Sequence, residues 1–378
     1  MKIVCAPDSF KESMSAAEAA AALAEGVHRV LPDADCPQVP MADGGEGFTE
    51  SLADALDLGM VEAPVTDAYG GPASARFALA DGVAVMECAQ AIGLGMILAE
   101  RRRIREATTA GVGQMILAAL DRGAREFLIG IGGSATNDGG AGMLRALGVR
   151  FTDDEGAELD GSPASLVRLA AVDTTGLDPR ARDAVFRIAC DVDNPLLGDR
   201  GASAVYGPQK GASPEDVEFL DAALRRLAAV CGHLDSVAAE EGAGAAGGLG
   251  YAFRAFLGGR LQSGADLVVE AVELARTIEG ADFVFTGEGA MDRQTLMGKT
   301  LSGIARVARP AGVPVVAFAG RLGEGVEELY DHGFVGLVPI VATITTLEDS
   351  LRNGRQALAD AAEQAVRLIL AGRRTGNP

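Results

Sequence analysis

Short apolar runs alternate with amphipathic stretches at both ends of this chain, a strand–helix rhythm. Residues 1–6 read as a strand that ends at Pro7-Asp8-Ser9. Ser15 and Glu18 have capping-box spacing and open an Ala-rich helix predicted to run to about residue 31. A strand near 38–41 and a helix to about 58 follow. At the far end, 283–285, 313–318 and 336–341 read as strands, with helices over about 299–308 and 324–332. A long helix over 346–371 closes the chain, with Leu347, Leu351, Leu358, Ala362 and Ile369 on one face.

The middle is less regular. Runs at 73–80 and 83–88 flank Asp81-Gly82, a hairpin signal. A helix over 106–122, a strand at 127–131, a Gly-rich turn at 132–142 and a strand at 185–190 follow. Ser213-Pro214-Glu215-Asp216 marks a helix start. The pattern predicts an α/β protein. A doubly wound Rossmann/flavodoxin-like domain is built from both chain ends, 1–66 plus 282–378, and 67–281 forms an inserted second α/β domain. The 50 glycines among 378 residues suit many tight strand-to-helix turns.

Charge and cysteine usage remove several classes. The net charge is −20, and the one basic run, Arg101-Arg102-Arg103 with Arg105, is followed by Glu106, so it reads as a solvated stretch and no nucleic-acid face is expected. Phosphate can still be bound through local devices. The five cysteines form no CxxC pair; Cys5, Cys88 and Cys190 read as buried small hydrophobes. The chain opens on a strand without a signal-peptide pattern, and no run of about 18 apolar residues suggests a membrane span. A cytoplasmic location without a membrane partner is the expectation.

Five segments place Gly, Ser/Thr/Asn and Asp/Glu directly after an apolar strand, where open α/β sheets bind ligands. They are Asp8-Ser9-Phe10-Lys11, Asp43-Gly44-Gly45, Gly132-Gly133-Ser134 through Asn137-Asp138, Asp191-Val192-Asp193-Asn194, and Glu288-Gly289 with Asp292. One such segment is an ordinary turn, but five argue for a site. Only four lysines occur, Lys2, Lys11, Lys210 and Lys299, and the last three lie beside such turns. A compact ammonium there suits phosphate or carboxylate. Gly298-Lys299-Thr300 resembles the end of a P-loop, but the required first glycine is Arg293. Gly130-x-Gly132-x-x-Ala135 matches a dinucleotide fingerprint, yet Asn137-Asp138-Gly139-Gly140 stands where its helix should be running. A longer anion-binding loop, with a helix from near Gly140, is expected instead. Ser134 lacks a nucleophile elbow, and His28, His233 and His332 lie in or near predicted helices. Phosphoryl transfer fits what remains: amides of Gly132, Gly133 and Ser134 as donors, carboxylates for a metal, and Asp191 or Asp292 as the base.

Six motifs, in order along nearly the whole chain, resemble the bacterial glycerate kinase family of the type 1 glycerate 2-kinases. They are A-P-D-S-F-K-E-S-M-S-A at 6–16, P-M-A-D-G-G-E-G at 40–47, G-I-G-G-S-A-T-N-D-G-G-A-G-M at 130–143, A-C-D-V-D-N-P-L at 189–196, G-P-Q-K-G-A at 207–212, and T-G-E-G followed by M-D-x-Q-T and G-K-T. The resemblance implies ATP, Mg2+ and D-glycerate, with 2-phosphoglycerate as product. On this reading Gly132, Gly133, Ser134 and Asn137 cradle phosphate oxygens. Lys11, Lys210 and Lys299 neutralise phosphate or hold the glycerate carboxylate. Asp138 and Glu288 help to bind Mg2+, and Asp191 takes the proton from the 2-hydroxyl. Asp8, Ser9, Asp43, Gly44, Gly45, Asn194 and Asp292 complete the substrate and phosphate contacts. The chain departs from the family pattern at Thr300-Leu301-Ser302-Gly303 and at Ala290. Transfer to the 3-hydroxyl, a related hydroxy acid as substrate, an NAD(P)-dependent hydroxy-acid dehydrogenase and a non-catalytic metabolite sensor are the alternatives. A monomer or homodimer is expected.

Overall fold

The computed structural model describes residues 1–42, 47–232, 235–296 and 300–375. The chain forms two compact units, Met1–Asp57 with Gly264–Pro378, and Leu58–Ser263. The split lies earlier than the boundaries predicted near 66 and 281, for two local reasons. Residues 59–66 pair as a strand with 72–80 inside the second unit. Helix Gly264–Ala271 packs on helix Thr300–Ala308 of the first, where Gly303 approaches Ala265 and Val269 and Arg306 pairs with Asp266.

In chain order, β1 is Ile3–Cys5. The second unit carries β2 (Gly59–Thr66), β3 (Pro72–Ala80), β4 (Val83–Glu87), β5 (Glu126–Gly130), β6 (Arg150–Thr152), β7 (Ala171–Asp173), β8 (Val185–Ala189) and β9 (Arg260–Gln262). The first unit resumes with β10 (Phe283–Met291), β11 (Val315–Leu322) and β12 (Phe334–Pro339).

The first unit is a parallel sheet in the order β1-β10-β11-β12. Helices Ala16–His28 and Gly354–Thr375 lie together on one face, where Leu23, Val27, Leu358 and Val366 meet Ile3, Phe285 and Phe318. Val284, Thr286 and Ala317 alternate to the other face and are buried too, so the sheet is covered on both sides. The Ser15/Glu18 capping box forms as expected. The long C-terminal helix does not run unbroken. It splits into Leu347–Arg352 and Gly354–Thr375, which leaves Leu347 74% exposed rather than on the buried face. The cause is tertiary: a Cβ at Gly354 would sit 2.1 Å from Ser13 Oγ, and that hydroxyl donates to Leu351 O. The 324–332 segment is a 3-10 helix, Val326–His332.

The second unit holds a six-stranded sheet, β2-β3-β4-β5-β8-β9, antiparallel from β2 to β4 and parallel from β4 to β9. Asp81 and Gly82 both take positive φ at the β3–β4 hairpin, which matches its twist. Phe127 on β5 and Phe186 on β8 stack at 4.9 Å in the core. β6 and β7 make a separate two-stranded ribbon. Arg102 and Arg105 are not a solvated run. Arg102 donates to Gln209 O, and Arg105 pairs with Asp216 and covers the Phe219 ring. Among the described residues no helix is long and apolar enough to cross a membrane.

The two helices on the β1 sheet touch at Gly26, where a Cβ would lie 2.2 Å from Ala359 O. Gly26→Val should lower the unfolding free energy by about 2–3 kcal/mol in urea titrations, because backbone cannot move aside cheaply. Gly372→Ala, with open space around its Cβ, should be neutral or slightly stabilising.

Candidate functional site

Parallel strands deliver their carboxyl ends together, and the segments at Asp8–Lys11, Gly132–Asp138 and Asp191–Asn194 follow such ends. Glu288 and Gly289, predicted to lie past a strand, are instead inside β10, the strand that pairs with β11. In the second unit Glu87, Gly130, Ala189 and Gln262 stand in register at the ends of β4, β5, β8 and β9. The Gly132–Asp138 loop and the Asp191–Asn194 loop therefore start side by side.

The β5 loop turns its polar side chains inward. Asp138 has no exposed surface, and its carboxylate accepts from Thr109 N (2.7 Å), Thr109 Oγ1 (2.8 Å), Gly140 N (3.0 Å) and Gly142 N (3.1 Å). Burial pushes this carboxyl up, and the four donors oppose that shift. Asn137, also fully buried, donates to Ser203 Oγ at 2.9 Å. Lys210 is 3% exposed and donates to Ser134 Oγ (3.1 Å) and Thr136 O (2.7 Å). Burial pulls its ammonium down to about 7, against the nearby charge of Asp138.

These positions change the expected roles. Asp138 does not fit a magnesium ligand, because its oxygens are already met by four donors and no solvent reaches them. Ser134, Asn137 and Lys210 hold the loop from behind rather than lining an open cradle. Gly132 and Gly133 remain exposed at its tip. A Cβ built on Gly132 would meet nothing within 4 Å, so packing does not require glycine there, and a ligand can approach the backbone closely. Asp191 is exposed on the neighbouring loop. Asn194 is engaged internally, donating to Arg200 O at 2.8 Å and accepting from Tyr206 at 2.6 Å.

The loop also answers the dinucleotide reading. β5 ends at Gly130, and the next helix, Ala141–Ala146, begins only after Gly139 and Gly140, both at positive φ. A Rossmann turn would open its helix at once.

In the first unit, Asp8 N donates to Gly287 O at 2.9 Å, and the β1–β10 register brings Asp8 level with Glu288. Each carboxylate is oriented by a threonine: Thr300 Oγ1 donates to Asp8 at 2.6 Å, and Thr295 Oγ1 donates to Glu288 at 2.9 Å. Ser9 N also donates to Asp8, and the Asp292 amide donates to Thr295 Oγ1. Lys11 is exposed on the turn after β1, close to Gly289. Asp43, Gly44, Gly45, Lys299 and His233 lie outside the described residues. Among the described residues no group of three or more His, Cys, Asp or Glu side chains is arranged to hold a metal.

Thr109, Ser203, Thr295 and Thr300 were not singled out by sequence. Thr295 and Thr300 lie within the M-D-x-Q-T and G-K-T motifs, which was their one signal. Thr109 and Ser203 carried none, since a hydroxyl facing a buried partner looks like any other.

A glycerate kinase family model matches residues 3–370. The chain belongs to the glycerate kinase family. It is 43% identical over 379 residues to Escherichia coli (strain K12) glycerate 2-kinase, covering 99% of both chains. It is 46% identical over 360 residues to a Bacillus subtilis (strain 168) glycerate kinase, covering 94% of each. A crystal structure from Salmonella typhimurium LT2, named as glycerate kinase 2, superposes with a TM-score of 0.89 at 41% identity, over 99% of each chain. The family is one of kinases, enzymes that draw their phosphate from ATP, and the two-unit α/β fold of this member agrees with that of its structural relative.

The buried Lys210 has a pH signature. Between about 7 and its ordinary 10.5 the unfolded chain binds the proton and the folded chain does not, so stability rises with pH across that window. The wild type should therefore gain on Lys210→Met by up to about 1.4 kcal/mol per pH unit above pH 7 in parallel urea titrations. Equal slopes for the two proteins would mean that Lys210 stays charged.

Proposed function

We propose that this chain transfers the γ-phosphoryl group of ATP to the 2-hydroxyl of D-glycerate, giving 2-phospho-D-glycerate and ADP. The observation that carries the reading is the 43% identity, over 99% of both chains, to a relative named for transfer at that position. The strand-end loops support it, with exposed backbone at Gly132-Gly133, oriented carboxylates at Asp8 and Glu288, and an exposed acid at Asp191.

The glycerate O2 attacks the γ-phosphorus, and the bond to the β–γ bridging oxygen breaks as ADP leaves. Asp191 accepts the hydroxyl proton. Amides at Gly132 and Gly133 donate to phosphate oxygens, and Lys11 and Lys299 balance phosphate charge or hold the substrate carboxylate. Asp8, Ser9 and Asp292 contribute from the ends of β1 and β10. Asp43, Gly44 and Gly45 keep their assignment as substrate contacts. Lys210, Ser134, Asn137 and Asp138 act as positioning residues for the β5 loop, and Asn194 does the same for the β8 loop. Mg2+, when bound, neutralises phosphate oxygens. It needs only one or two protein carboxylates beside those oxygens and water, and Glu288 is the carboxylate that would hold it. A cytoplasmic monomer or homodimer remains the companion expectation.

Asp191→Asn should reduce kcat for glycerate-dependent ADP release by about 100-fold or more while the KM values stay within a few-fold. The same change at Asp292 serves as comparison, since the residues alone left two candidate bases. Near-normal turnover of Asp191→Asn with a collapsed Asp292→Asn would move the base to Asp292. Nicotinamide reduction by glycerate, without ADP formation, would replace the kinase reading with a dehydrogenase.

A further inference from the structure

We propose that Cys5 and Cys36 form a two-thiol oxidation site, in which a hydroperoxide converts the facing thiols to a disulfide. Cys5 closes β1, and residues 35–39 run parallel beside it, with Cys5 N donating to Pro37 O and Val39 N to Cys5 O, each at 2.8 Å. The bridges Lys2↔Asp35 and Cys5↔Gln38 set the register. It places Cys36 opposite Ile3, so Cys36 and Cys5 are diagonal neighbours on the same side of the pairing. Their side chains lie close enough for each thiol to shift the other, and the Cys5 S–H donates to Ile3 O at 3.8 Å. Cys5 is buried and Cys36 half-buried, so the outer thiol is the one a small oxidant can reach.

The inner thiol tunes the outer one. The neighbouring Cys5 thiol holds Cys36 down at about 7, against burial, with the charges of His28 and the N-terminal amino group helping and that of Asp35 opposing. Cys88, Cys190 and Cys231 are all pushed up, chiefly by burial. A reachable thiol of low pKa beside a second one is the arrangement that oxidises reversibly.

The chemistry balances with a hydroperoxide as oxidant. The Cys36 thiolate attacks the terminal peroxide oxygen, the O–O bond breaks, and hydroxide leaves and takes up a proton, giving Cys36 sulfenic acid. Cys5 then loses its proton and attacks the Cys36 sulfur, and water leaves as the disulfide forms. Two thiols lose two electrons, and hydrogen peroxide becomes two waters.

The bond has consequences nearby. Because the partners are diagonal, closing it draws the 35–41 segment along β1. That ladder continues through Met41 N to Pro7 O, and Asp8 follows, anchored to Gly287 O. Oxidation should therefore displace Asp8 and Ser9 and lower activity. This last effect rests on the proposed kinase reading, whereas the oxidation site does not.

The test treats the full-length protein with hydrogen peroxide and maps unreduced peptides by mass spectrometry. The expected result is a Cys5–Cys36 cross-link two hydrogens lighter, a fall in titratable thiols from five to three, and reversal by dithiothreitol. Cys36→Ser should retain its four remaining thiols, and Cys5→Ser should stop at a Cys36 sulfenic acid trapped by dimedone. Wild-type protein that keeps five thiols, or whose cross-link joins other cysteines, would overturn the proposal. These readouts need no activity. Glycerate-dependent ADP release should fall at least several-fold with the cross-link and return on reduction, and a fully active cross-linked enzyme would remove the coupling to Asp8. Reduced protein without any ADP release would count against the kinase reading alone.

Discussion

A carboxylate shut away from water must be met by donors, and much of the Leu58–Ser263 unit is arranged around that demand at Asp138. Thr109 gives its amide and hydroxyl, and the same hydroxyl accepts from Met143 N at 2.9 Å. The starts of helices Ala110–Leu120 and Ala141–Ala146 are thereby tied to one side chain. Gly113 lets these helices approach until a Cβ there would lie 2.5 Å from Met143 O. Lys210 reaches in from Pro208–Lys210 and holds Ser134 and Thr136 of the same loop. With its polar side chains engaged inward, the loop offers backbone outward at Gly132 and Gly133. Leaving such a buried group without one of its hydrogen-bond partners typically costs about 1–3 kcal/mol, so the loop's shape is set before any ligand arrives.

That inward turn explains which parts were legible in the sequence. Features written in local chemistry were readable: the capping box at Ser15, the helix start at Ser213-Pro214, the Asp81-Gly82 hairpin, and the helix delayed to Gly140. Features decided by tertiary contact were not. The break before Gly354 depends on Ser13, some 340 residues away in the chain. The sequence pattern predicts no strand over 59–66; β2 is an edge strand, where its Pro64 is tolerated. The candidate loops were found by residue type and place after a strand. Which side chains face a ligand was not legible, since Ser134, Asn137, Asp138 and Lys210 are the types a ligand site also uses.

The two units use the same parallel-strand device with different means of support. At the end of β5, buried charge fixes exposed backbone. At the ends of β1 and β10, hydroxyls of Thr300 and Thr295 orient carboxylates that need no deep burial. Cys5 sits at the foot of the second arrangement. Sequence alone made it a small hydrophobe, and its burial agrees; its contact with Cys36 appears only once residues 35–39 are laid beside β1.

The central claim concerns which oxygen of D-glycerate receives phosphate, and phosphorus NMR of the product formed from ATP and D-glycerate reads it directly. A single new monoester coupled to the C2 proton, matching authentic 2-phospho-D-glycerate, is the predicted spectrum. A monoester coupled to the C3 methylene protons, or ATP left intact with glycerate present, would contradict it.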